Sequence, residues 1–82
     1  MPQKNTYPIA SIYVPVKRLK TLIPSKVLEI AESILENGQT TPIQIREGNN
    51  RFVLIEGLHR IEALKALGED TVTGYLVHAR LH

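Results

Sequence analysis

The sequence predicts a small α+β domain with a mixed four-stranded sheet and two main helices, in the order β-α-β-β-α-β. Its 82 residues suffice for one modest hydrophobic core but not for two. Two segments show the apolar period of an amphipathic helix, and four short segments are rich in β-branched residues and bounded by turn formers. We expect residues 1–8 to be a flexible N-terminal arm and residues 9–82 to form the domain.

The first half of the chain predicts the arm, one strand and one helix. Residues 1–8 are polar and hold two prolines, which favours a loose arm, and Ile9 to Val16 is β-branched and aromatic, as in a strand. The helix is expected to begin at Pro24, since proline suits its first position, or at Ser25 acting as N-cap. Asn37-Gly38 is expected to end it. Apolar residues recur along this helix with the helical spacing: Val27, Ile30, Ala31, Ile34 and Leu35.

The second half predicts a hairpin, a second helix and a last strand. Residues 41–46 alternate between apolar and polar, residues 47–50 are turn formers, and residues 51–55 return as the antiparallel partner. The helical pattern begins at about Leu58, and Gly68 is placed to close the helix in a left-handed conformation. Residues 72–77 form the last strand, with Gly74 as a candidate bulge.

The glycine between the second strand of the hairpin and the helix is the first candidate site. A helix that begins at this point leaves its first N–H groups unpaired. Gly57 is followed on the first helical turn by His59 and Arg60, so amides and basic side chains can converge on an anion, most often a phosphate. A strand, a glycine and a helix are also common scaffolding, and the residues alone leave both interpretations open.

Two residues of the first helix add to this hypothesis. Lys26 and Ser33 are seven residues apart, which puts them nearly in line on one helix face. A lysine in the first turn opposes the helix dipole, which suggests an anionic partner, although an exposed lysine tolerates that position at a cost of a few tenths of a kcal/mol.

The charge is distributed unevenly. Residues 1–28 carry a net charge of +5 and no acidic residue, whereas the remainder carries −3. A basic first third suits contact with a polyanion such as DNA, or with a nucleotide phosphate. Lys17, Arg18 and Lys20 are the DNA-binding candidates, and a solvated basic edge is the alternative.

Several classes of function are excluded. The chain has no cysteine, which removes disulfides, thiol catalysis and cysteine metal sites. Its three histidines lack metal-ligand spacing. We find no signal peptide and no membrane-spanning run, so we expect a cytoplasmic protein without a membrane partner. The sequence does not indicate an oligomeric state.

Two stretches resemble the N-terminal domain of bacterial ParB proteins. Residues 33–46, Ser-Ile-Leu-Glu-Asn-Gly-Gln-Thr-Thr-Pro-Ile-Gln-Ile-Arg, are similar to the "SI-x-E-x-G-x-x-x-P-I-x-V-R" stretch of that family. Residues 52–68 resemble the strand-Gly-x-x-Arg-x-x-Ala-helix segment that follows it. The same superfamily includes sulfiredoxins and ParB-like kinases of free serine, and the resemblance runs from Ile9 to Val77.

This resemblance implies that the glycine turn binds a nucleotide phosphate. Gly57, His59 and Arg60 match the Gly-Cys-His-Arg motif of sulfiredoxins, but Leu58 replaces the catalytic cysteine and excludes sulfiredoxin activity, because the nucleophile must be a thiolate. Lys26 and Ser33 match a lysine and a hydroxyl that contact phosphates in sulfiredoxins. The implied ligand is a nucleoside di- or triphosphate, ATP or CTP, with Mg²⁺ as a candidate companion. The implied nucleotide-binding set is Lys26, Ser33, Gly57, Leu58, His59 and Arg60.

The other two branches match less well. ParB proteins carry Gly-Glu-Arg-Arg at this turn and use it in a CTP-dependent clamp, and only Gly57 and Arg60 match it. The serine kinases rely on an acidic base, whereas the corresponding connector is basic and cannot take a proton from a hydroxyl. Glu56, just before the turn, is the remaining candidate as catalytic base or magnesium ligand.

Three functions follow. The first is a nucleotide-binding regulatory module related to partition or transcription. The second is an enzyme, whether an ATP/ADP-dependent phosphotransferase, an NTPase or a nuclease, which would need Glu29, Glu56 or Glu62. The third is a module that contacts DNA or a DNA-bound protein through the basic first third.

Overall fold

The computed structural model describes residues 4–39 and 41–78. It is an α+β domain, as predicted, but its sheet has five strands instead of four, in the order β1-β5-β3-β4-β2. The strands are β1 Lys4–Pro8, β2 Ile12–Tyr13, β3 Ile43–Glu47, β4 Phe52–Glu56 and β5 Thr71–Leu76. The helices are α1 Val16–Leu19, α2 Pro24–Asn37 and α3 Leu58–Ala66.

The sheet is mixed, with β3 at its centre between β5 and β4. β5 is antiparallel to β1 and parallel to β3, and the β3–β4 hairpin is antiparallel as predicted. The short β2 pairs with β4 in parallel at the edge. Gly74 pairs with Asn5 of β1 and Ile43 of β3 without a register shift, so the prediction of a bulge at Gly74 is wrong, and the irregularity lies between Gln44 and Ile45 in the β3–β4 pairing. A Cβ on Gly74 would lie 3.0 Å from Ile43 Cγ1, so this glycine permits close packing.

The prediction of a flexible arm over residues 1–8 is wrong for Lys4–Pro8, which forms the strand β1. All five residues of Lys4–Pro8 pair with β5, from Lys4 opposite Tyr75 to Pro8 opposite Thr71. The segment is polar because it is an exposed edge strand, and an edge strand tolerates proline because its outward side needs no backbone donor. Residues 1–3 lie outside the described residues.

The strand predicted from Ile9 to Val16 is largely wrong. Ile9–Ser11 forms a 3₁₀ turn, in which Ser11 Oγ donates to the Pro8 carbonyl at 2.8 Å. Serine competes with strand pairing in this way, through local bonds to the backbone. Only Ile12–Tyr13 pairs as a strand, and Pro15 is the N-cap of the one-turn helix α1.

The long helix begins and ends as predicted, with one exception on its surface. Pro24 occupies the first helical position, Ile23 instead of Ser25 is the N-cap, and Gly38 ends the helix with φ +75°. Leu35 belongs to the predicted apolar face but is 73% exposed. Eight residues of helix turn it about 80° away from Val27, and so to the margin of the buried face.

The second helix ends in the predicted left-handed glycine. Gly68 has φ +78°, and its N–H donates to the Lys65 carbonyl at 3.0 Å. The next N–H, of Glu69, donates to the Leu64 carbonyl at 3.0 Å. This pair of bonds is a Schellman motif.

The core lies between α2, α3 and the inner face of the sheet. Its fully buried large side chains are Ile43, Ile45, Ile61, Leu64 and Val72. The sheet is curled around this core, because the Tyr7 ring of β1 meets the Phe52 ring of β4 at 5.0 Å between centroids. Two strands separate β1 from β4, and neighbouring strands lie about 4.8 Å apart, so a flat sheet would hold these rings roughly 14 Å apart.

A side chain fixes the end of α2 against the sheet. Gln39 Oε1 accepts the Thr73 N–H at 2.9 Å, and Gln39 Nε2 lies 3.4 Å from the Thr71 carbonyl. The paired register of β3 with β5 begins later, with Ile43 opposite Gly74. The Gln39 amide therefore continues the backbone ladder of β5 ahead of β3.

Candidate functional site

The predicted glycine turn has the geometry of an anion-binding helix start. β4 ends at Glu56, Gly57 has φ +115° and ψ 30°, and α3 begins at Leu58 without a side-chain cap. The Ile61 N–H donates to the Gly57 carbonyl at 2.9 Å, so the amides of residues 58–60 have no partner within the helix. These amides carry the positive end of the helix dipole.

Glycine is required at this turn for two reasons. Its φ lies in the region that side chains disfavour. In addition, a Cβ on Gly57 would lie 2.5 Å from Cγ2 and 3.3 Å from Cα of the fully buried Ile43. The turn packs directly onto the centre of the sheet, which holds the start of α3 in place.

A pocket of about 350 Å³ opens at this turn. It lies between the α1–α2 connector, α2 and the start of α3. It brings together four members of the predicted nucleotide-binding set and the candidate carboxylate. Its lining residues are Arg18, Thr21, Ile30, Glu56, Gly57, Leu58, His59 and Arg60.

Arg60, a residue of the pocket lining, has an unsatisfied hydrogen-bond donor. Its Nη1 is buried and has no hydrogen-bond partner in the part of the chain that the structure describes. Burial lowers the pKa of the Arg60 guanidinium, but the group stays charged at neutral pH because a guanidinium loses its proton only far above that range. A buried donor without an acceptor costs about 1–3 kcal/mol. An anion in the pocket would remove this cost.

His59 is placed at the pocket but is not a cation in this arrangement. The Ile23 N–H donates to His59 Nε2 at 3.0 Å, so this nitrogen is an acceptor, and the bond assigns the ring proton to Nδ1. Of the two basic side chains predicted at the turn, Arg60 is therefore the one that carries a positive charge in this arrangement. His59 ties the N-cap of α2 to the first turn of α3 and keeps Nδ1–H as its remaining donor.

Leu58 contributes to the pocket through its backbone. Only 6% of the residue is exposed, and it packs in the core cluster with the buried side chains of α3 and the sheet. A leucine side chain has no polar atom, so the Leu58 N–H is what the residue offers to an anion.

The structure does not place Lys26 and Ser33 in the pocket lining, although it places them beside it. Ile30 lines the pocket, four residues after Lys26 and three before Ser33, which puts all three on one side of α2. Lys26 is exposed and Ser33 is half-buried. Their predicted contact with phosphate stays a prediction.

Of the three basic connector residues, only Arg18 reaches the pocket. Arg18 Nη2 lies 4.0 Å from Glu56 Oε1, and the Arg18 carbonyl accepts the Thr21 hydroxyl at 2.7 Å. Lys17 and Lys20 are exposed and are not part of the lining. The basic run drew attention to Arg18 as a DNA contact. No local signal indicates its place in the pocket, which depends on how α1 packs against the turn.

The candidate carboxylates separate clearly. Glu56 lines the pocket, whereas Glu29 is exposed on α2, and Glu62 accepts the Lys65 ammonium at 3.3 Å on α3. Within residues 4–39 and 41–78, no three His, Asp or Glu side chains come together as a metal cluster. The helices of this part of the chain are also too short or too polar to cross a membrane.

Comparison with known protein families and curated proteins gives two matches. The model of the ParB N-terminal domain matches residues 4–80. A probable chromosome-partitioning protein ParB from Campylobacter jejuni is 42% identical over 48 residues. That match covers 58% of this chain and 17% of the relative, so the chain spans less than a fifth of that protein.

Solved structures share the fold. Sulfiredoxin from Arabidopsis thaliana superposes with a TM-score of 0.85 and 28% identity, over 95% of this chain and 88% of that one. A C-terminally truncated ParB from Caulobacter crescentus, complexed with CTP-γ-S, gives 0.76 and 20%, over 98% and 46%. A mutant free serine kinase in complex with ADP gives 0.77 and 16%, over 90% and 30%. At these last two identities the likeness is one of fold.

The family model spans almost the whole chain, and the strand, glycine turn and helix predicted from the sequence follow one another in the structure. The protein therefore belongs to the ParB N-terminal domain family.

Proposed function

We propose that this domain binds the phosphates of a nucleoside di- or triphosphate, ATP or CTP, at the turn from Gly57 to Arg60. The observation that carries the proposal is Arg60, a charged residue of the pocket lining whose buried Nη1 has no acceptor among the described residues. The ligand class is supported by the CTP-γ-S of the Caulobacter ParB and the ADP of the serine kinase.

The proposed contacts use groups of residues that share one pocket lining. A phosphate at the turn would accept the amides of residues 58–60 and the Arg60 guanidinium, in the manner of anion sites at helix starts. His59 Nδ1–H would serve as a neutral donor. A pocket of about 350 Å³ lies at the lower end of the sizes known for small-molecule sites, which suits the phosphate chain with the nucleoside projecting outward.

Magnesium is a companion of this ligand that the site can accept but does not require. Mg²⁺ takes one or two carboxylates together with substrate phosphates, and Glu56 is the pocket carboxylate that would hold it. However, the Arg18 guanidinium lies 4.0 Å from Glu56 Oε1 and opposes a divalent cation there. Arg18 and Arg60 already supply positive charge, so we propose that binding occurs without the metal.

The domain is proposed to act as a regulatory module associated with DNA. Its family, and the partitioning protein among its relatives, support this role. Lys17 and Lys20 are exposed near α1 and are the candidate contacts to DNA or to a DNA-bound protein. Affinity for DNA that falls steeply with salt and changes with nucleotide would support the role.

A titration of ¹⁵N-labelled protein with ATP, ADP, CTP and GTP, each with and without magnesium, tests the binding proposal. We expect saturable amide shifts centred on residues 57–60 for at least one nucleotide. Shifts that do not saturate, or that stay confined to α1, would contradict it. The comparison of the four nucleotides identifies the base.

An enzyme is the second candidate, because Glu56 lies in the pocket wall. On this alternative, slow hydrolysis of the nucleotide depends on magnesium and vanishes in Glu56→Gln while binding survives. Phosphorylation of free serine with a turnover above about 1 s⁻¹, an ordinary enzyme rate, would replace the binding module by a kinase.

Lys26→Ala is expected to weaken nucleotide binding by about threefold to tenfold and to stabilise the free domain by a few tenths of a kcal/mol. The first effect removes an exposed cation beside the pocket, and the second removes a cation from the positive end of α2. Lys20→Ala, which also removes an exposed cation, is the control. Unchanged affinity together with lower stability would contradict both parts.

A further inference from the structure

We infer that Arg18 is a second anion-binding residue of this pocket, held by Glu56 until a ligand with two or more linked phosphates replaces that carboxylate. The inference rests on the proposed function and deepens it. It assigns the selection of a phosphate chain over a single phosphate to one residue of the connector.

The first argument is the geometry of the Arg18–Glu56 pair. Both residues line the pocket, and the Arg18 side chain is 35% exposed, whereas that of Glu56 is 70% exposed, so the guanidinium is the more buried partner of the pair. Their 4.0 Å separation is longer than the roughly 2.8 Å of a charge-assisted hydrogen bond. An exposed pair of this kind contributes little and is readily exchanged for a better acceptor.

The second argument is that the backbone of Arg18 is fixed, whereas the charge partner of its side chain among the described residues, Glu56, lies 4.0 Å away. Both the hydroxyl and the N–H of Thr21 donate to the Arg18 carbonyl, at 2.7 and 2.9 Å. Thr21 therefore closes the turn after α1 and holds Arg18 at the pocket. Only the side chain has to move for the guanidinium to turn from Glu56 to a ligand.

The third argument is the arrangement of charge around the cavity. Arg60 comes from α3 and Arg18 from α1, so two guanidiniums reach one pocket from different elements. A single phosphate can satisfy the amides of residues 58–60 and Arg60 while Arg18 stays with Glu56. A second linked phosphate extends from that position and competes with Glu56 for Arg18. Glu56 thus weakens the binding of a phosphate chain in two ways: its negative charge repels the phosphates, and it pairs with the Arg18 guanidinium that would bind them.

Calorimetric titrations without magnesium test the inference, with pyrophosphate, AMP, ATP, CMP and CTP as probes. We expect Arg18→Gln to weaken the binding of pyrophosphate and the triphosphates by about tenfold, the loss of one charge-assisted contact. The monophosphates should change by less than about twofold, because Arg60 binds them. Glu56→Gln should strengthen pyrophosphate and triphosphate binding by about two- to fivefold.

Matched controls separate a local effect from one of total charge. Lys20→Gln removes the same charge two residues away, outside the pocket lining, and Glu36→Gln removes an exposed carboxylate of α2. Both should leave the ratio of triphosphate to monophosphate affinity unchanged. Far-UV circular dichroism checks folding, and if Arg18→Gln does not fold, Glu56→Gln decides alone.

The outcomes distinguish this inference from the proposed function. A parent protein that binds triphosphate with a ratio unaffected by Arg18→Gln overturns the inference and keeps the proposed function. Weaker triphosphate binding in Glu56→Gln also overturns it. If pyrophosphate binds through Arg18 but no nucleotide binds, the inference stands and the proposed function is overturned. If neither pyrophosphate nor a nucleotide binds, both the inference and the proposed function are overturned.

Discussion

Arg60→Ala is expected to weaken nucleotide binding by at least about a hundredfold while changing the free energy of unfolding by less than about 1 kcal/mol. Two charge-assisted contacts to phosphate at roughly 1.5 kcal/mol each correspond to about this loss of affinity. The free domain loses little, because Arg60 Nη1 has no hydrogen-bond partner to lose within residues 4–39 and 41–78. Calorimetric titration and urea denaturation measure the two quantities.

Two further arginine variants make this expectation specific. Arg60→Met keeps an unbranched apolar stem in the half-buried position and should fold as stably as the parent, still without binding. Arg46→Ala is the control, since Arg46 lies on β3 outside the pocket lining and Arg46 Nη1 donates to the Glu47 carbonyl at 3.2 Å. Unchanged affinity in Arg60→Ala would remove the phosphate site, and unfolding of both Arg60 variants would make Arg60 a structural residue.

Gly57→Ala is expected to destabilise the domain by about 3 kcal/mol or more. A left-handed backbone costs a side chain roughly 1–2 kcal/mol, and overpacking of a core adds about 1–3 kcal/mol. The new Cβ would lie 2.5 Å from Ile43 Cγ2, and the Ile43 side chain is fully buried in the core. Urea denaturation with the slope held constant measures the loss.

Gly68→Ala is the matched control for that substitution. Gly68 also has a positive φ, +78°, but a Cβ there would meet nothing within 4 Å, so only the backbone cost of about 1–2 kcal/mol applies. A loss of equal size at Gly57 and Gly68 would show that the close approach to Ile43 has no energetic weight.

The parts of the fold that were predicted correctly are set by local chemistry. Pro24 at the start of α2, the hairpin turn between β3 and β4, and the left-handed Gly68 each follow from the conformations that a few adjacent residues prefer. The strand Lys4–Pro8 could not be recognised in this way. Its residues are polar, and it is a strand because β5, more than sixty residues later, offers it an edge.

The same division applies to the site. The turn from Gly57 to Arg60 was predicted because strand, glycine and helix follow one another in the sequence. The bond between the Ile23 N–H and His59 Nε2 was not predicted, since it joins residues 36 positions apart. This bond makes one ring nitrogen of the basic His59 side chain an acceptor. Arg18 was assigned to DNA for a similar reason, because only the packed structure brings it to Glu56.

The pairing of β1 with β5 joins the first and the last strand of the described sheet. Lys4 lies opposite Tyr75, so the beginning of β1 and the end of β5 lie side by side. On a ribosome, β1 is made more than sixty residues before its partner β5, and contacts of such long sequence separation slow folding. Adjacent ends also make the domain suited to circular permutation. A new opening in the exposed loop at residues 48–50 would leave every strand of the sheet uncut.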